Sequence, residues 1–200
     1  MRVSIALVLA WAVPAAAAAQ PATWTIDPGH SAAQFAVRHM VVSNVKGQFD
    51  GPTGSVSFDQ ANIPGSLRVD ASIEARTINT RNPDRDQDLR GPLFFDVDRF
   101  PRITYRSKRT ETAGTGRYKV VGDLTMHGVT KEVVLDVEGP TPEITDIWGN
   151  ARLGATASTV IDRRDFGLMY SRVLEGGGAV VGNAVSISID LELTRQRAKE

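Results

Sequence analysis

The sequence predicts an all-β protein that folds as an antiparallel β-barrel of about eight strands, with a short helix near residues 83–90. Three observations support this fold class. Apolar and polar residues alternate along most segments, turn signals separate these segments at short intervals, and 42% of the 200 residues are hydrophobic, which supplies a core. Strands with one apolar face pack as a sandwich or close into a barrel, and only closure removes the exposed sheet edges.

The alternation is clearest in two segments. In residues 66–74 every second side chain from Leu67 to Ile73 is apolar, and residues 185–193 repeat this pattern from Val185 to Leu193. A period of two places one face of a strand in the core and the other in water. Weaker alternation predicts six further strands around residues 33–37, 56–58, 103–105, 118–120, 133–137 and 153–157.

Two longer intervals interrupt the hairpin-like connections. In residues 79–102, Asn82 followed by Pro83 is typical of a helix start, and Gly91-Pro92 ends the pattern, which predicts the short helix. Residues 162–178 end in three glycines and predict a loop with one helical turn.

Residues 1–19 are typical of a secretory signal peptide. Arg2 precedes an apolar run of eleven residues (3–13), and Ala17 and Ala19 occupy the small-residue positions before a cleavage site. That run is shorter than the roughly 20 residues that cross a bilayer as a helix. We therefore expect removal of the leader, a single domain over residues 20–200, and a periplasmic or secreted location. The sequence has no cysteine, so the core alone must stabilise the domain.

The charge balance argues against a nucleic-acid partner. The sequence has 23 Lys and Arg against 23 Asp and Glu, and removal of Arg2 with the leader leaves a net charge of −1. Proteins that bind nucleic acids need an excess of basic residues to displace the counterions of phosphate.

The sequence lacks motifs for metal-dependent or nucleophilic chemistry. His30, His39 and His127 have no partner ligands at the spacings of metal sites. The acidic run at residues 84–88 resembles a calcium loop, but the loop's last position is Phe95 rather than Glu. No serine lies in a G-x-S-x-G turn, and no glycine-rich phosphate loop is present. We therefore predict no metal, no cofactor and no catalytic residue, which favours a binding protein over an enzyme.

Small residues in the apolar phase of several strands predict a cavity inside the barrel. An eight-stranded barrel is just wide enough to be filled by side chains or to hold one slender ligand. A packed interior would favour larger side chains at these positions, although large and small residues also alternate in packed barrels. The small residues are Ala33, Ala71, Ala155 and Ala157.

A series of short motifs runs in order through nearly all of residues 23–194. They are Trp24-Thr25-Ile26-Asp27-Pro28-Gly29-His30-Ser31, Phe35-Ala36-Val37-Arg38-His39-Met40, Val45-Lys46-Gly47-Gln48-Phe49, Thr77-Ile78-Asn79-Thr80, Arg85-Asp86, Leu89, Phe94-Phe95-Asp96, Phe100-Pro101-Arg102-Ile103, Gly122-Asp123-Leu124-Thr125-Met126-His127-Gly128-Val129-Thr130, Arg163-Arg164-Asp165-Phe166-Gly167 and Val181-Gly182-Asn183. This series resembles the YceI-like family of bacterial periplasmic proteins. Two positions depart from the family pattern: Asp88 replaces the histidine of R-D-x-H-L, and Asn183 replaces the aspartate of V-G-D.

The resemblance implies an extended lipocalin-like barrel that holds a polyisoprenoid or another long-chain amphiphile. The chain of the ligand would thread into the barrel, with its head group near a mouth covered by residues 77–103. We expect the polar head group to meet Arg38, His39 and Arg85. We expect the apolar lining to comprise Phe35, Val37, Phe49, Ile73, Ile78, Leu89, Phe94, Phe95, Ile103, Tyr105, Leu124, Met126 and Phe166.

The sequence leaves three functions open. The first is a periplasmic protein that transports or stores an isoprenoid-like lipid. The second is an enzyme or chaperone that acts on an isoprenoid quinone or its precursor, with His30, His39 or His127 transferring protons. The third is a structural barrel without a ligand. The identity of the lipid and the formation of a homodimer also remain open.

Overall fold

The fold is one antiparallel sheet wrapped into a barrel, with two short α-helices. It is given by a computed structural model that describes residues 21–195 except 174 and 176, so the predicted leader lies outside the described residues. The helices are α1 (Ile63–Ser66) and α2 (Pro83–Arg90), and neither of these described helices has the length and hydropathy to cross a membrane. The strands are β1 (Ala22–Ile26), β2 (Ala32–His39), β3 (Ser43–Phe49), β4 (Thr53–Phe58), β5 (Arg68–Glu74), β6 (Arg102–Gly114), β7 (Arg117–Met126), β8 (Val129–Glu138), β9 (Ile144–Thr145), β10 (Ala151–Asp162) and β11 (Val181–Arg195).

Eight of these strands close into a ring, which confirms the predicted barrel. Their order is β11-β1-β4-β5-β6-β7-β8-β10, and β10 pairs with β11 along its whole length to close the ring. The long strand β11 pairs with β1 near Leu193 and with β2 from Val181 to Asp190, so two strands share one of its edges. The hairpin of β2 and β3 thereby extends the sheet at one end of the barrel.

The predicted helix and helical turn are both present. α2 begins after Asn82, whose side-chain oxygen accepts a hydrogen bond from the backbone N–H of Arg85 at 3.0 Å. Pro83 takes the first helical position, where its missing N–H removes no helical hydrogen bond. The interval at residues 162–178 contains a 3₁₀ turn at Arg163–Phe166.

Periodicity did not predict β1, β3, β9 or α1. Three of these elements have five residues or fewer, which is too short for a period to be recognised. In β3 the apolar phase is interrupted by Gly47, because the ring of Phe35 fills that space: a Cβ on Gly47 would lie 2.4 Å from its Cζ. An inward glycine therefore hides the strand from a search for alternation.

Two clusters of buried apolar residues occupy the two ends of the barrel. The strands run between them, since Val120 belongs to one cluster and Met126, at the end of the same strand, to the other. We name them the α1 cluster and the α2 cluster after the nearer helix. The α1 cluster comprises Trp24, Ile26, Val56, Phe58, Ile63, Leu67, Tyr105, Val120, Ala151, Leu153 and Leu193. The α2 cluster comprises Phe49, Ala75, Ile78, Val97, Ile103, Met126, Val133, Ile161, Phe166 and Leu168.

Candidate ligand cavity

An apolar cavity of about 270 Å³ lies inside the barrel. Its lining extends from Phe58 at the α1 end to Leu168 at the α2 end. Along β7 the lining residues run from Tyr118 to Met126, a span of about 26 Å at the rise of a β-strand. A space that is long and apolar fits an extended hydrocarbon chain better than a compact polar ligand.

The structure places eleven of the thirteen predicted apolar residues in the cavity lining. Ile78 and Phe166 lie outside it, with 0% and 1% of their surface exposed, and pack within the α2 cluster. Their motifs identified buried positions, but neither period nor motif distinguishes a wall of the cavity from the core behind it. The eleven lining residues are Phe35, Val37, Phe49, Ile73, Leu89, Phe94, Phe95, Ile103, Tyr105, Leu124 and Met126.

The four small residues singled out in the sequence, Ala33, Ala71, Ala155 and Ala157, also line the cavity. Further lining residues were not proposed as ligand contacts, although the alternation of their strands had placed them on the apolar face. That signal was available in β4, β5, β8 and β11. These residues include Val56, Phe58, Leu67, Val69, Leu135, Val137, Val185, Ile187, Ile189 and Leu191.

The two ends of the cavity differ in exposure. At the α1 end, the lining residues Phe58, Ile63 and Leu67 have at most 8% of their surface exposed. At the α2 end, Phe94 and Phe95 are only half-buried. We therefore identify the α2 end as the mouth of the cavity and the α1 end as its closed floor.

The hydroxyl group of Tyr105 lies in the apolar interior, where it is hydrogen-bonded. Its hydroxyl donates a hydrogen bond to the carbonyl oxygen of Val120 at 2.8 Å. The ring lies over Gly122, where a Cβ would come within 2.6 Å of its Cζ. Burial raises the pKa of the Tyr105 phenol, and the nearby carboxylates of Asp123 and Glu132 raise it further, so the group stays protonated at neutral pH.

The predicted polar contacts at the mouth are absent from the cavity lining. Arg38 donates from Nε and Nη2 to the carbonyl oxygen of Val41, at 3.0 and 2.7 Å. His39 is the last residue of β2. Arg85 donates to the hydroxyl and carbonyl oxygens of Thr80, at 2.7 and 2.9 Å, and so fixes α2 to the segment before it. Their contacts with a ligand stay a prediction.

Arg163 is the one charged side chain among the described residues that line the cavity. It is 5% exposed and lies in the 3₁₀ turn near the mouth. Its guanidinium donates to the carbonyl oxygens of Gly182, Leu168 and Val181 and to the side-chain oxygen of Asn183. Sequence reasoning missed it, because nothing in Arg163-Arg164 indicates which of two adjacent arginines is buried.

An ion-pair cluster lies where β1, β10 and β11 meet. Arg152 donates to Asp27 at 2.8 Å, to Asp146 at 2.7 Å and to Glu192. Hydrogen bonds from Arg152 and His30 lower the pKa of Asp27 to about 2. Asp27 and Glu192 come from opposite ends of the chain, so no local sequence pattern indicates this cluster.

Asp27, His30 and Glu192 present ligand atoms within 4.8 Å of one another, as a metal site would. The guanidinium of Arg152 already lies against both carboxylates and supplies the positive charge there. His127 is not in this group; its Nδ1 is 3.2 Å from the carbonyl oxygen of Phe166. The prediction that the protein needs no metal stays a prediction.

The chain resembles known proteins in sequence over most of its length. The family model of the YceI-like domain matches residues 24–193. A UPF0312 protein of Staphylococcus aureus (strain N315) is 34% identical over 171 residues, which cover 86% of this chain and 96% of that protein.

Solved structures share the barrel. BcnA of Burkholderia cenocepacia matches with a TM-score of 0.69 at 21% identity, over 84% of this chain and 98% of that one. The Campylobacter jejuni YceI protein matches with a TM-score of 0.66 at 27% identity, over 80% of this chain and 90% of that one. A polyisoprenoid binding domain from Saccharophagus degradans matches with a TM-score of 0.60 at 16% identity, over 86% of this chain and 98% of that one. Since the family model covers most of its length, this chain belongs to the YceI-like family.

Proposed function

We propose that this protein binds a polyisoprenoid or a similar long-chain amphiphilic lipid inside its barrel and transports or stores it. The observation that carries this proposal is the long apolar cavity with one closed and one open end. The shared fold with a polyisoprenoid binding domain supports it. The lipid chain would occupy the interior, and its polar group would stay near the mouth.

The energetics of the cavity favour such a ligand. Each buried CH₂ group contributes about 0.8 kcal/mol, so one five-carbon unit contributes about 4 kcal/mol before ordering costs. Several units therefore suffice for tight binding without a reactive side chain. Met126 lines the cavity as well, and its flexible thioether can adapt to an irregular chain.

A binding function is favoured over an enzyme by the composition of the lining. His30, His39 and His127, the candidates for proton transfer, are all outside the set of described residues that line the cavity. The phenol of Tyr105 is protonated and already hydrogen-bonded. The groups that face a bound chain are therefore almost entirely hydrocarbon.

The proposal is tested by organic extraction and native mass spectrometry of the purified protein. We expect one intact long-chain lipid per protein chain. Ala155→Trp should abolish this occupancy, because the indole would fill space that the ligand needs. The matched control is Ser158→Trp, which places the same indole on the outer face of the same strand. Repeated absence of lipid from the unmodified protein, or equal occupancy in both variants, would contradict the proposal.

The proposed function requires that the leader direct export of the protein to the periplasm. Sequencing the N-terminus of the mature protein tests it. We expect the mature chain to begin at Gln20, and a retained Met1 in the native host would contradict export.

A further inference from the structure

The ring of strands closes only in part between β8 and β10. Along their other edges, β10 pairs with β11 and β8 pairs with β7 over their whole lengths. Between β8 and β10 the ladder covers three pairs and ends at Ser158 opposite Asp136. Residues 129–134 and 160–162, all of them described, form no further ladder with each other, and we name this region the seam. Each strand is therefore held from one side only in the mouth half of the barrel.

Like charges explain why the ladder stops. Continued past Ser158, the same register would place Glu132 of β8 directly opposite Asp162 of β10. Two carboxylates in opposite positions destabilise an antiparallel pair. Each carboxylate instead has a cation on its own side of the seam: Nζ of Lys108 lies 3.3 Å from an oxygen of Glu132, and Nη2 of Arg164 lies 2.7 Å from an oxygen of Asp162. The charges thus favour separation of the two strands near the mouth.

The other residues of the seam are typical of paired strands. Val134 and Val160, which the register would place opposite each other, are 40% and 64% exposed on the outer face. On the inner face, Val133 and Ile161 are buried and belong to the α2 cluster. Valine and isoleucine are favoured in strands because they pack well against cross-strand neighbours. The seam is therefore an opening in the sheet that is bordered by apolar side chains on both faces.

A cleft of about 330 Å³ lies on the outer side of the seam. Three of its lining residues, Val133, Thr159 and Ile161, also line the ligand cavity. The wall of the cavity at this place is therefore only one layer of side chains thick. Side chains can change rotamer without the loss of a main-chain hydrogen bond, whereas a paired wall must break several to open. The seam is thus a place where the barrel can open at low cost.

The 3₁₀ turn covers the mouth end of the seam. Its Phe166 lines the cleft and is buried. Arg163 fixes the turn to β11, because its guanidinium donates to the carbonyl oxygens of Gly182 and Val181. Toward the hairpin of β7 and β8, the described residues of the turn make one hydrogen bond, between Nδ1 of His127 and the carbonyl oxygen of Phe166 at 3.2 Å. The turn is therefore anchored to one side of the seam and joined to the other side by this single bond.

We propose that the seam is a side portal, through which a lipid chain enters and leaves the cavity after the bond between His127 and Phe166 opens. This inference rests on the proposed lipid-binding function. The mouth is narrowed by the contact of Phe94 with Tyr170, whose ring centroids are 4.9 Å apart. A chain that threads end-on must slide past this contact and along the whole lining, whereas the seam admits it sideways along the mouth half of β8.

A portal has a kinetic signature that a binding contact lacks. It changes the rates of association and dissociation together, because it alters the barrier and contributes nothing to the bound state. The test therefore measures both rates with delipidated protein in stopped-flow fluorescence. The probes are cis-parinaric acid, which has a straight chain, and a fluorescent farnesyl analogue.

The first variant locks the seam. Val134→Cys with Val160→Cys is joined by a short bismaleimide, which reacts only there because the unmodified chain has no cysteine. We expect both rates to fall at least tenfold with an unchanged dissociation constant. The matched control is Asp136→Cys with Ser158→Cys, which receives the same cross-link where the ladder is already formed and should keep the rates of the unmodified protein.

The second variant releases the turn. His127→Leu removes the hydrogen bond to Phe166 and should raise both rates at least threefold. His30→Leu is its control, because it removes an exposed histidine near the floor and should leave the rates unchanged.

Three results would overturn the inference. They are unchanged rates in the cross-linked seam, equal slowing in the control pair, and a loss of affinity at an unchanged association rate, which would make the seam a binding surface instead of a route. If neither probe bound the unmodified protein, the proposed function would be overturned, and the inference with it.

Discussion

The two ends of this barrel are made from the same strands but differ in how their apolar residues are used. At the floor, Trp24 is 2% exposed and stacks on Phe58 with ring centroids 6.4 Å apart. At the mouth, the rings of Phe94 and Tyr170 also meet, at 4.9 Å, but Phe94 is only half-buried and borders the cavity. Aromatic contacts therefore stabilise the floor, and at the mouth they surround an opening.

This difference shows that the contacts that stabilise the fold and the features that suit binding lie at opposite ends of the barrel. The floor closes with a packed cluster and with the ion pairs of Arg152, whereas the mouth has two turn residues with left-handed φ angles, Met40 and Val41, and exposed apolar side chains. None of these features at the mouth stabilises the folded protein. We expect substitutions at the floor to reduce stability and those at the mouth to change binding.

The largest expected difference in stability comes from removing one aromatic ring at each end of the barrel. Trp24→Ala should lower the free energy of unfolding by about 3–5 kcal/mol, because it leaves a cavity in a packed cluster. Phe94→Ala should lower it by only about 1 kcal/mol, since that side chain is only half-buried, and should weaken lipid binding instead. Urea denaturation of both variants measures the difference. Equal destabilisation would erase the distinction between the two ends.

A smaller effect should follow from adding one methyl group at two inward glycines. In Gly122→Ala the new Cβ would lie 2.4 Å from the carbonyl oxygen of Arg106, so backbone must move, at a cost of about 1–3 kcal/mol. In Gly47→Ala the nearest atom is the far end of the Phe35 ring, which can turn into the cavity. Thermal melts should show the greater loss for Gly122→Ala, and lipid occupancy should fall in Gly47→Ala. The reverse order would show that the mouth is packed as tightly as the interior.

The smallest expected effect is a change in the acid sensitivity of the floor. The pKa of Asp27 is about 2 in the folded protein against its ordinary 3.8, so its ion pair stabilises the fold above pH 4 and is lost as the pH falls toward 2. Arg152→Met should return this pKa toward 3.8 and flatten the dependence of stability on pH between 4 and 2. Urea melts across this range measure it, with Arg106→Met, which breaks an exposed ion pair with Asp70, as the control. An unchanged slope in Arg152→Met would exclude this cluster as the source.

The sequence predicted the parts of the fold that have a period or a cap. The alternation of β5 and β11 identified strands, and Asn82-Pro83 identified the start of α2. It could not predict α1 or β3, because the first has four residues and the second has Gly47 on its inward face.

The cavity was predictable to a similar degree. Aromatic and aliphatic residues on the inward phase of the strands did line it. Phe166 is equally apolar but lies in the 3₁₀ turn and packs outside the cavity, and no strand alternation indicates the direction of its side chain. Arg163 was missed because its burial depends on carbonyl groups of Leu168, Val181 and Gly182, which only the folded chain brings to it.

The central claim, that one lipid chain lies along the barrel with its tail at the floor and its head at the mouth, is tested most directly by photo-cross-linking. Two long-chain fatty acids are needed, one with a diazirine at the methyl end and one with a diazirine beside the carboxylate. After irradiation and peptide mapping, the methyl-end probe should label residues 56–67, and the carboxylate-end probe should label residues near Phe94 and Leu168. Exchange of the two patterns, or labelling by both probes at the outer surface alone, would contradict the account.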